Sequence, residues 1–171
     1  MTNQTRNNRG FSLIEVMVTL LLLTVGMLGL VVMQGRGIQY TTDSAQRNNA
    51  LMLASEAMEM MRAAGAKDAD AHYLFNELPP SEDCENEIDA SAVDKQLGCW
   101  AKRVRLLLPD AEALKGEFQV CRSNAPKTCA NNGSAFMVQV AWRAAGDDCM
   151  DDSPEAGNDP SICRLHLQGE L

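Results

Sequence analysis

One ionisable group stands inside the longest apolar stretch of the chain. Glu15 lies four residues after Phe11, and the eighteen residues 16–33 that follow it carry no charge. A carboxylate in hydrocarbon costs about 2.5–3.5 kcal/mol near the centre of a membrane helix and less near its end. Pairing with a positive charge offsets much of that cost. The position therefore predicts a cationic partner for Glu15 within the membrane.

The six cysteines are the other reactive side chains, and all of them lie beyond residue 83. An even number of cysteines after an apolar segment is typical of proteins in an oxidising compartment such as the periplasm. Six cysteines allow fifteen pairings. We expect each cysteine to pair with its neighbour in the sequence, because two such pairs bracket loops next to predicted strands and the two remaining cysteines then form the third pair. Since no Cys-x-x-Cys is present, zinc binding and thiol redox catalysis are not expected. The expected pairs are Cys121–Cys129, Cys149–Cys163 and Cys84–Cys99.

The apolar segment is long enough to span a bilayer. Residues 16–33 would rise about 27 Å as a helix, close to the ~30 Å thickness of the hydrocarbon layer, and residues 11–14 lengthen the run. A secretory signal peptide has a shorter apolar core, of about 7–15 residues, and a small-x-small cleavage site. Arg6 and Arg9 precede the segment and Arg36 follows it, so the positive-inside bias is weak. On hydropathy alone, a plain N-terminal anchor is the alternative.

Charge is distributed unevenly along the chain. Residues 1–10 carry +2, residues 11–64 carry −1 and residues 65–171 carry −9. Such an acidic main domain repels phosphate backbones, and the basic cluster of Lys102, Arg103 and Arg105 is short, so we expect no nucleic-acid binding. The acidic loop 146–160 lacks the spacing of a calcium loop, which favours a solvated loop over a metal site. No arrangement of catalytic groups is evident, so we expect no enzyme, no cofactor and no small-molecule substrate.

Hydrophobic periodicity predicts an α+β domain with a long N-terminal helix. Apolar residues recur at helical spacing over 51–61, so one helix is expected over 11–64, with Gly65 as its C-terminal cap. Residues 66–92 are polar and predict a loop. A second helix is expected from Val93 to Leu108, where Pro109 ends it. Alternating segments predict three strands of a small antiparallel sheet, at 116–122, 135–143 and 162–171, with His166 on the outer face of an edge strand.

The residues around Glu15 also resemble a known kind of signal. The sequence RGFSLIE at residues 9–15 resembles the class III signal of type IV prepilins and pseudopilins. The resemblance implies that a prepilin peptidase cuts between Gly10 and Phe11 on the cytoplasmic side and that Phe11 is then N-methylated. Glycine suits this position because an extended backbone without a side chain can enter a protease cleft closely. The new amine of Phe11 would pair with Glu15 of the same or a neighbouring subunit, which would make Glu15 an assembly register.

More distant features narrow the resemblance. The helix ending in Leu-Leu-Pro, the Val-x-Val-x-Trp strand and the Met-Arg-Ala end of the long helix look like the PilV type of minor pilin and the related minor pseudopilin I of type II secretion. The resemblance implies a type IV pilin fold in which the long helix packs on a small sheet with an extra helix and disulfides. It divides the chain into a leader (1–10), a transmembrane or filament-core half-helix (11–35), an amphipathic half-helix (36–64) and a periplasmic head domain (65–171).

The same resemblance implies a function. A minor pilin is a single-pass inner-membrane protein with its N-terminus in the cytoplasm, and it joins other minor pilins and the major pilin at the filament tip to prime assembly. A minor pseudopilin of type II secretion is the main alternative. A tip adhesin, a DNA-binding minor pilin and a membrane-anchored enzyme are further alternatives.

Overall fold

The computed structural model describes residues 12–84, 92–130, 132–146, 149 and 159–170. It divides into two compact units, Met1–Tyr40 and Thr41–Leu171, called the first and second unit below. The predictions for the leader 1–10, for Gly10 and for Phe11 fall outside the described residues, as does most of the acidic loop 146–160.

Helix α1 spans Leu13–Ala64, which confirms the long helix expected from the sequence. Its N-terminal part contains an 18-residue window with a mean hydropathy of 2.6, none of it buried. By length and composition, this stretch can cross a bilayer. The hydroxyls of Thr19 and Thr24 donate to the carbonyls of Val16 and Leu21, at 2.9 and 2.8 Å, so both polar groups are satisfied within the helix.

The end of α1 is set by Gly65. This residue has a φ of +84°, which a side chain would disfavour, and its N–H donates to the carbonyl of Met61 at 3.0 Å. A short helix, α2, follows directly at Ala66–His72. The expectation of a loop throughout 66–92 is therefore wrong for these seven residues. Three of them are alanine, the best helix former, and Ala69 is fully buried, so packing stabilises a helix too short to show periodicity.

Helix α3 spans Val93–Leu107, as predicted, and turns its apolar face into the core of the second unit. Trp100 is fully buried, and its Nε1 donates to the carbonyl oxygen of Leu53 in α1 at 2.9 Å. Arg103 of α3 also forms an ion pair with Glu56 of α1. These contacts tie α3 to the C-terminal part of α1.

The strands of the second unit are β1 (Gln119–Ala125), β2 (Thr128–Cys129), β3 (Ala135–Arg143) and β4 (Ile162–Gly169). They form a four-stranded antiparallel sheet in the order β2-β1-β3-β4. A 3₁₀ turn at Lys115–Glu117 precedes it, so the first strand begins later than residue 116, where the sequence predicted it. The three expected strands are present. The two-residue β2 was not predicted, because it is too short to show alternation.

One face of the sheet forms the main core with α1 and α3. Alternate residues of β3 point into it, together with Leu53 and Met58 of α1 and Trp100 of α3. A long helix on a small antiparallel sheet, with an extra helix and disulfides, is a pilin-like α+β fold. The β3 residues in this core are Phe136, Val138, Val140 and Trp142.

The opposite face of β3 is buried as well, although the alternating sequence pattern predicts only one buried face. Gln139 is 7% exposed, and its side chain is held by three hydrogen bonds. Its Oε1 accepts from Nε2 of Gln119 at 2.8 Å and lies 2.9 Å from Nε2 of His166, and its own Nε2 donates to the carbonyl of Glu117 at 2.8 Å. His166 thus lies on the edge strand β4. Its side chain is half-buried and lies beside those of Gln139 and Gln119.

Gly133 lies where the chain passes directly against β1. A Cβ atom on this residue would overlap the backbone of Ser123, and backbone cannot move aside as a flexible side chain can. We expect Gly133→Ala to lower the free energy of unfolding by about 1–3 kcal/mol or more. Gly116→Ala is the matched control, since nothing lies within 4 Å of its Cβ position. Urea unfolding of the full chain in detergent measures both, and equal stabilities would contradict the prediction.

Candidate functional site

Glu15 lies in the first turn of α1. The carbonyl of Ser12 accepts hydrogen bonds from the backbone N–H groups of Glu15 and Val16, at 3.0 and 3.3 Å, so regular helical bonding begins at this point. A carboxylate in the first turn interacts favourably with the helix dipole, by about 0.3–1 kcal/mol at an exposed site. The dipole therefore offsets only part of the cost of placing Glu15 in hydrocarbon.

The surroundings of Glu15 are apolar and open. The side chains of Leu13, Ile14 and Met17 are 75%, 70% and 63% exposed. Among the residues that the structure describes, none forms an ion pair with the carboxylate of Glu15. An exposed anion among exposed apolar side chains is suited to a membrane or to a subunit contact in which a cation meets it. The pairing with the amine of Phe11 stays a prediction, since Phe11 lies outside the described residues.

Comparison with protein families bears directly on this segment. Residues 5–31 match the prokaryotic N-terminal methylation motif. The matched range contains Gly10, Phe11, Glu15 and most of the apolar run, and it supports a type IV pilin-like protein. Comparisons with curated proteins and with solved structures gave no significant match.

The motif and the fold together indicate a structural protein. A prepilin signal implies processing by prepilin peptidase and assembly with pilins. The apolar part of α1 that follows the signal suggests a membrane-anchored pilin-like protein. Within the described residues, no three His, Cys, Asp or Glu side chains are grouped so that they could hold a metal ion.

The six cysteines form three disulfides in the second unit, in the sequential pairing, and none is free. One bridge joins β1 to β2, a second joins Cys149 to β4, and a third joins the segment before α3 to that helix. Each bridge restricts the unfolded chain and can stabilise a small domain by roughly 2–4 kcal/mol. The disulfides are Cys121–Cys129, Cys149–Cys163 and Cys84–Cys99.

The short basic cluster on α3 is locally neutralised. Each of its three cations lies in an ion pair with a carboxylate from another segment, so the cluster presents little net positive charge. These exposed pairs contribute little stability individually. The pairs are Lys102–Asp83, Arg103–Glu56 and Arg105–Glu112.

Arg122 of β1 connects three parts of the second unit. Its guanidinium lies 5.0 Å from the ring centroid of Phe136, donates to the carbonyl of Gly133 at 2.9 Å and pairs with Asp70 of α2 at 2.7 Å. The hydrogen bond from Arg122, followed by its positive charge, lowers the pKa of the Asp70 carboxyl, against an opposing effect of desolvation. Arg122 therefore holds the short helix α2 against the sheet.

This lowered pKa makes part of the stability dependent on pH. The carboxyl of Asp70 has a folded-state pKa below its ordinary value of 3.8, so the pair stabilises the fold fully above that value and loses its effect as pH falls through the folded pKa. We expect Asp70→Asn to destabilise the protein at pH 7 and the difference from the wild type to shrink below about pH 3.8. Thermal unfolding of Asp70→Asn and of the wild type, at pH 7 and below about pH 3.8, measures this difference in stability.

Asp68→Asn is the control for this prediction. Asp68 lies on the same helix but forms none of the ion pairs within the described chain. A destabilisation of Asp70→Asn that stays the same at low pH would show that the charge on Asp70 is unimportant.

Sequence reasoning missed a cavity beside β4. It has a volume of about 440 Å³ and is lined by residues of α1, β3 and β4, including Asp43, Trp142 and Cys163. Trp142 belongs to the alternating segment 135–143, and Asp43 lies far earlier in the sequence. No local pattern shows that they share a cavity, because only the packing of α1 against the sheet brings them together.

Proposed function

We propose that this protein is a minor pilin of a type IV pilus. It is exported as a prepilin, is cleaved after Gly10 and is anchored in the inner membrane by residues 11–35, with residues 65–171 in the periplasm. It then joins other minor pilins and the major pilin at the filament tip and promotes assembly. The N-terminal methylation motif at residues 5–31, which includes most of the apolar part of α1, is the observation that carries the proposal.

The physical role of the signal follows from the charges that cleavage leaves. Cleavage after Gly10 removes the leader together with Arg6 and Arg9, and it creates a new amine on Phe11. Because this amine lies in hydrocarbon next to an exposed apolar helix, a carboxylate at Glu15 of an adjacent subunit lowers the cost of burying both charges. Glu15 would thereby set the axial position of the subunit in the filament.

The state of the mature N-terminus tests the proposal. We would express the full chain in cells with and without a prepilin peptidase and determine the intact mass and the N-terminal sequence of the membrane-bound protein. The expected product with the peptidase begins at N-methylated Phe11, and the product without it retains the leader. A chain that still begins at Met1 when the peptidase is active would refute the proposal.

Deletion of the gene separates the pilus from the secretion system. Loss of surface pili with normal export of exoenzymes supports the minor pilin, and the reverse result would assign the chain to the pseudopilus of type II secretion. The same architecture serves both filaments, so the phenotype decides between them. Pili that form normally but no longer bind cells or DNA would favour a tip adhesin or a DNA-binding minor pilin.

A further inference from the structure

The turn between β2 and β3 contains the single Asn-Gly pair of the chain, Asn132-Gly133. Asn132 is exposed there, whereas Gly133 is buried. The backbone nitrogen of the following residue can attack the side-chain carbonyl carbon of an asparagine, which makes asparagine one of the thermolabile residues of proteins. A glycine in the following position has no Cβ atom to hinder this approach. The order of these two residues therefore favours a chemical change of Asn132.

The backbone of Gly133 is held firmly at its carbonyl and weakly at its nitrogen. The carbonyl oxygen accepts a hydrogen bond from Nη1 of Arg122 at 2.9 Å, and the Cβ position of Gly133 overlaps the backbone of Ser123. The nitrogen, which is the attacking atom, donates to the carbonyl of Ala130 at 3.4 Å. This distance exceeds the usual range of about 2.7–3.2 Å. The nitrogen can therefore leave its acceptor at low cost, while the carbonyl side restricts the movement of the residue.

Arg122 is itself fixed by contacts with two other segments. Its guanidinium pairs with Asp70 of α2 at 2.7 Å and lies 5.0 Å from the ring centroid of Phe136. The backbone at Asn132 must rotate before the nitrogen of Gly133 can reach the side-chain carbonyl carbon. Because Arg122 holds the peptide group that follows Gly133, this rotation is restricted in the folded protein and free in the unfolded chain.

Asn124, near the end of β1, offers a comparison within the same chain. It is exposed, as Asn132 is, but it is followed by Ala125. The Cβ atom of an alanine hinders the approach of its own nitrogen to the preceding side chain. Exposure alone therefore does not distinguish the two asparagines, whereas the residue that follows each of them does.

We propose that Asn132 is a site of spontaneous deamidation and that the hydrogen bond from Arg122 to Gly133 controls its rate. The nitrogen of Gly133 forms a bond to the side-chain carbonyl carbon of Asn132. The side-chain nitrogen leaves as ammonia and takes up the proton that the nitrogen of Gly133 loses. Water then adds to one carbonyl carbon of the resulting succinimide and breaks the bond between that carbon and the ring nitrogen. The product is aspartate or isoaspartate, and water is the co-reactant.

Each conversion replaces a neutral amide by a carboxylate on the exposed turn. It adds one negative charge to a chain whose net charge is −8. The turn of an aged molecule thus differs in charge from that of a newly made one. The site lies entirely in the second unit and does not depend on the function proposed above.

Timed incubation of the full chain in detergent tests the proposal. The buffer is mildly alkaline, because the attacking nitrogen must lose its proton. Trypsin cuts after Arg122 and Lys127 and therefore places Asn124 and Asn132 on different peptides. Fragmentation of these peptides in a mass spectrometer should show a carboxyl in place of the amide of Asn132. Its amount should rise with time above that of an unincubated sample, while Asn124 stays an amide.

Two variants and one solvent condition test the role of the anchor. Arg122→Ala removes the hydrogen bond to Gly133 and should accelerate the conversion about tenfold, the effect of one hydrogen bond to a charged group. Arg105→Ala is the matched control and should convert at the wild-type rate. Arg105 likewise binds a backbone carbonyl, that of Pro79 at 2.9 Å, and a carboxylate, but it belongs to α3. The wild-type chain, unfolded in urea with its disulfides reduced, should also convert about tenfold faster or more.

Three results would overturn the proposal. One is an unchanged amide at Asn132 in the native protein after the time in which the unfolded chain converts completely. Another is conversion of Asn124 as fast as that of Asn132. The third is a rate for Arg122→Ala that does not exceed the rate for Arg105→Ala. If Arg122→Ala does not fold, equal rates for the native and the urea-unfolded wild type overturn the role of the anchor without any variant.

Discussion

Replacing Trp100 by alanine should lower the free energy of unfolding by about 3–5 kcal/mol, the range found for large aromatic side chains in a core. Trp100 is fully buried and lies 5.8 Å from Phe75, measured between ring centroids. The substitution opens a cavity between α1, α3 and the segment around Phe75. It also removes the N–H that satisfies the carbonyl of Leu53. Because the lost contacts come from several segments, the packing of the whole second unit should weaken.

Two further variants separate the causes of this loss. Trp100→Phe keeps an aromatic ring and should cost less than Trp100→Ala, with the lost hydrogen bond and the smaller ring as the remaining penalty. Leu106→Ala lies on the same helix, but its side chain is 75% exposed, so its effect should stay within about 0.5 kcal/mol. Urea unfolding of the full chain in detergent, followed by near-UV circular dichroism, measures all three. Similar losses for Leu106→Ala and Trp100→Ala would contradict the expected dependence on burial.

Glu15→Ala should reduce incorporation into filaments by about tenfold or more while leaving cleavage after Gly10 largely intact. The reason is that the variant lacks the only acidic side chain among residues 11–42, so the proposed amine of Phe11 would lie unpaired in hydrocarbon. A penalty of 1.4 kcal/mol already corresponds to a tenfold change in an equilibrium, and charges in a membrane helix cost about that or more. The measurement compares the amounts of the protein in sheared filaments and in the membrane.

The controls for Glu15 test charge rather than polarity. Glu15→Gln retains the length of the side chain but not its charge, so it should be lost from filaments as Glu15→Ala is. Thr19→Ala should assemble normally, because the hydroxyl of Thr19 bonds only to Val16 within its own helix among the described residues. The mass of the mature chain shows whether processing is intact. Normal incorporation of Glu15→Ala would remove Glu15 as an assembly register.

Long elements with a regular pattern could be predicted from the sequence. The helix α1, the helix α3 and the strand β3 each repeat their apolar pattern over several residues, and all three are present. The helix α2 and the strand β2 have seven and two residues, too few for a period to be visible. Their formation depends on contacts such as the burial of Ala69 and the pairing of β2 with β1.

The second buried face of β3 shows a different limit of prediction from the sequence. The alternation of its sequence predicts one core face, yet Met137 is fully buried on the other face and Gln139 is 7% exposed there. The local sequence cannot predict that this face is buried, because the residues that cover it come from other segments of the chain. The hydrogen bond from Gln139 to the carbonyl of Glu117 is one such contact.

The sequence by itself determined the match to the N-terminal methylation motif, since residues 5–31 form one continuous segment. The tertiary structure decided what lies beside β4. Asp43 and Trp142 are far apart in the chain, and they line one cavity only because the helix that carries Asp43 packs against the sheet that carries Trp142. A motif of consecutive residues can be read before folding, whereas a site assembled from distant segments exists only once their apolar faces are buried together.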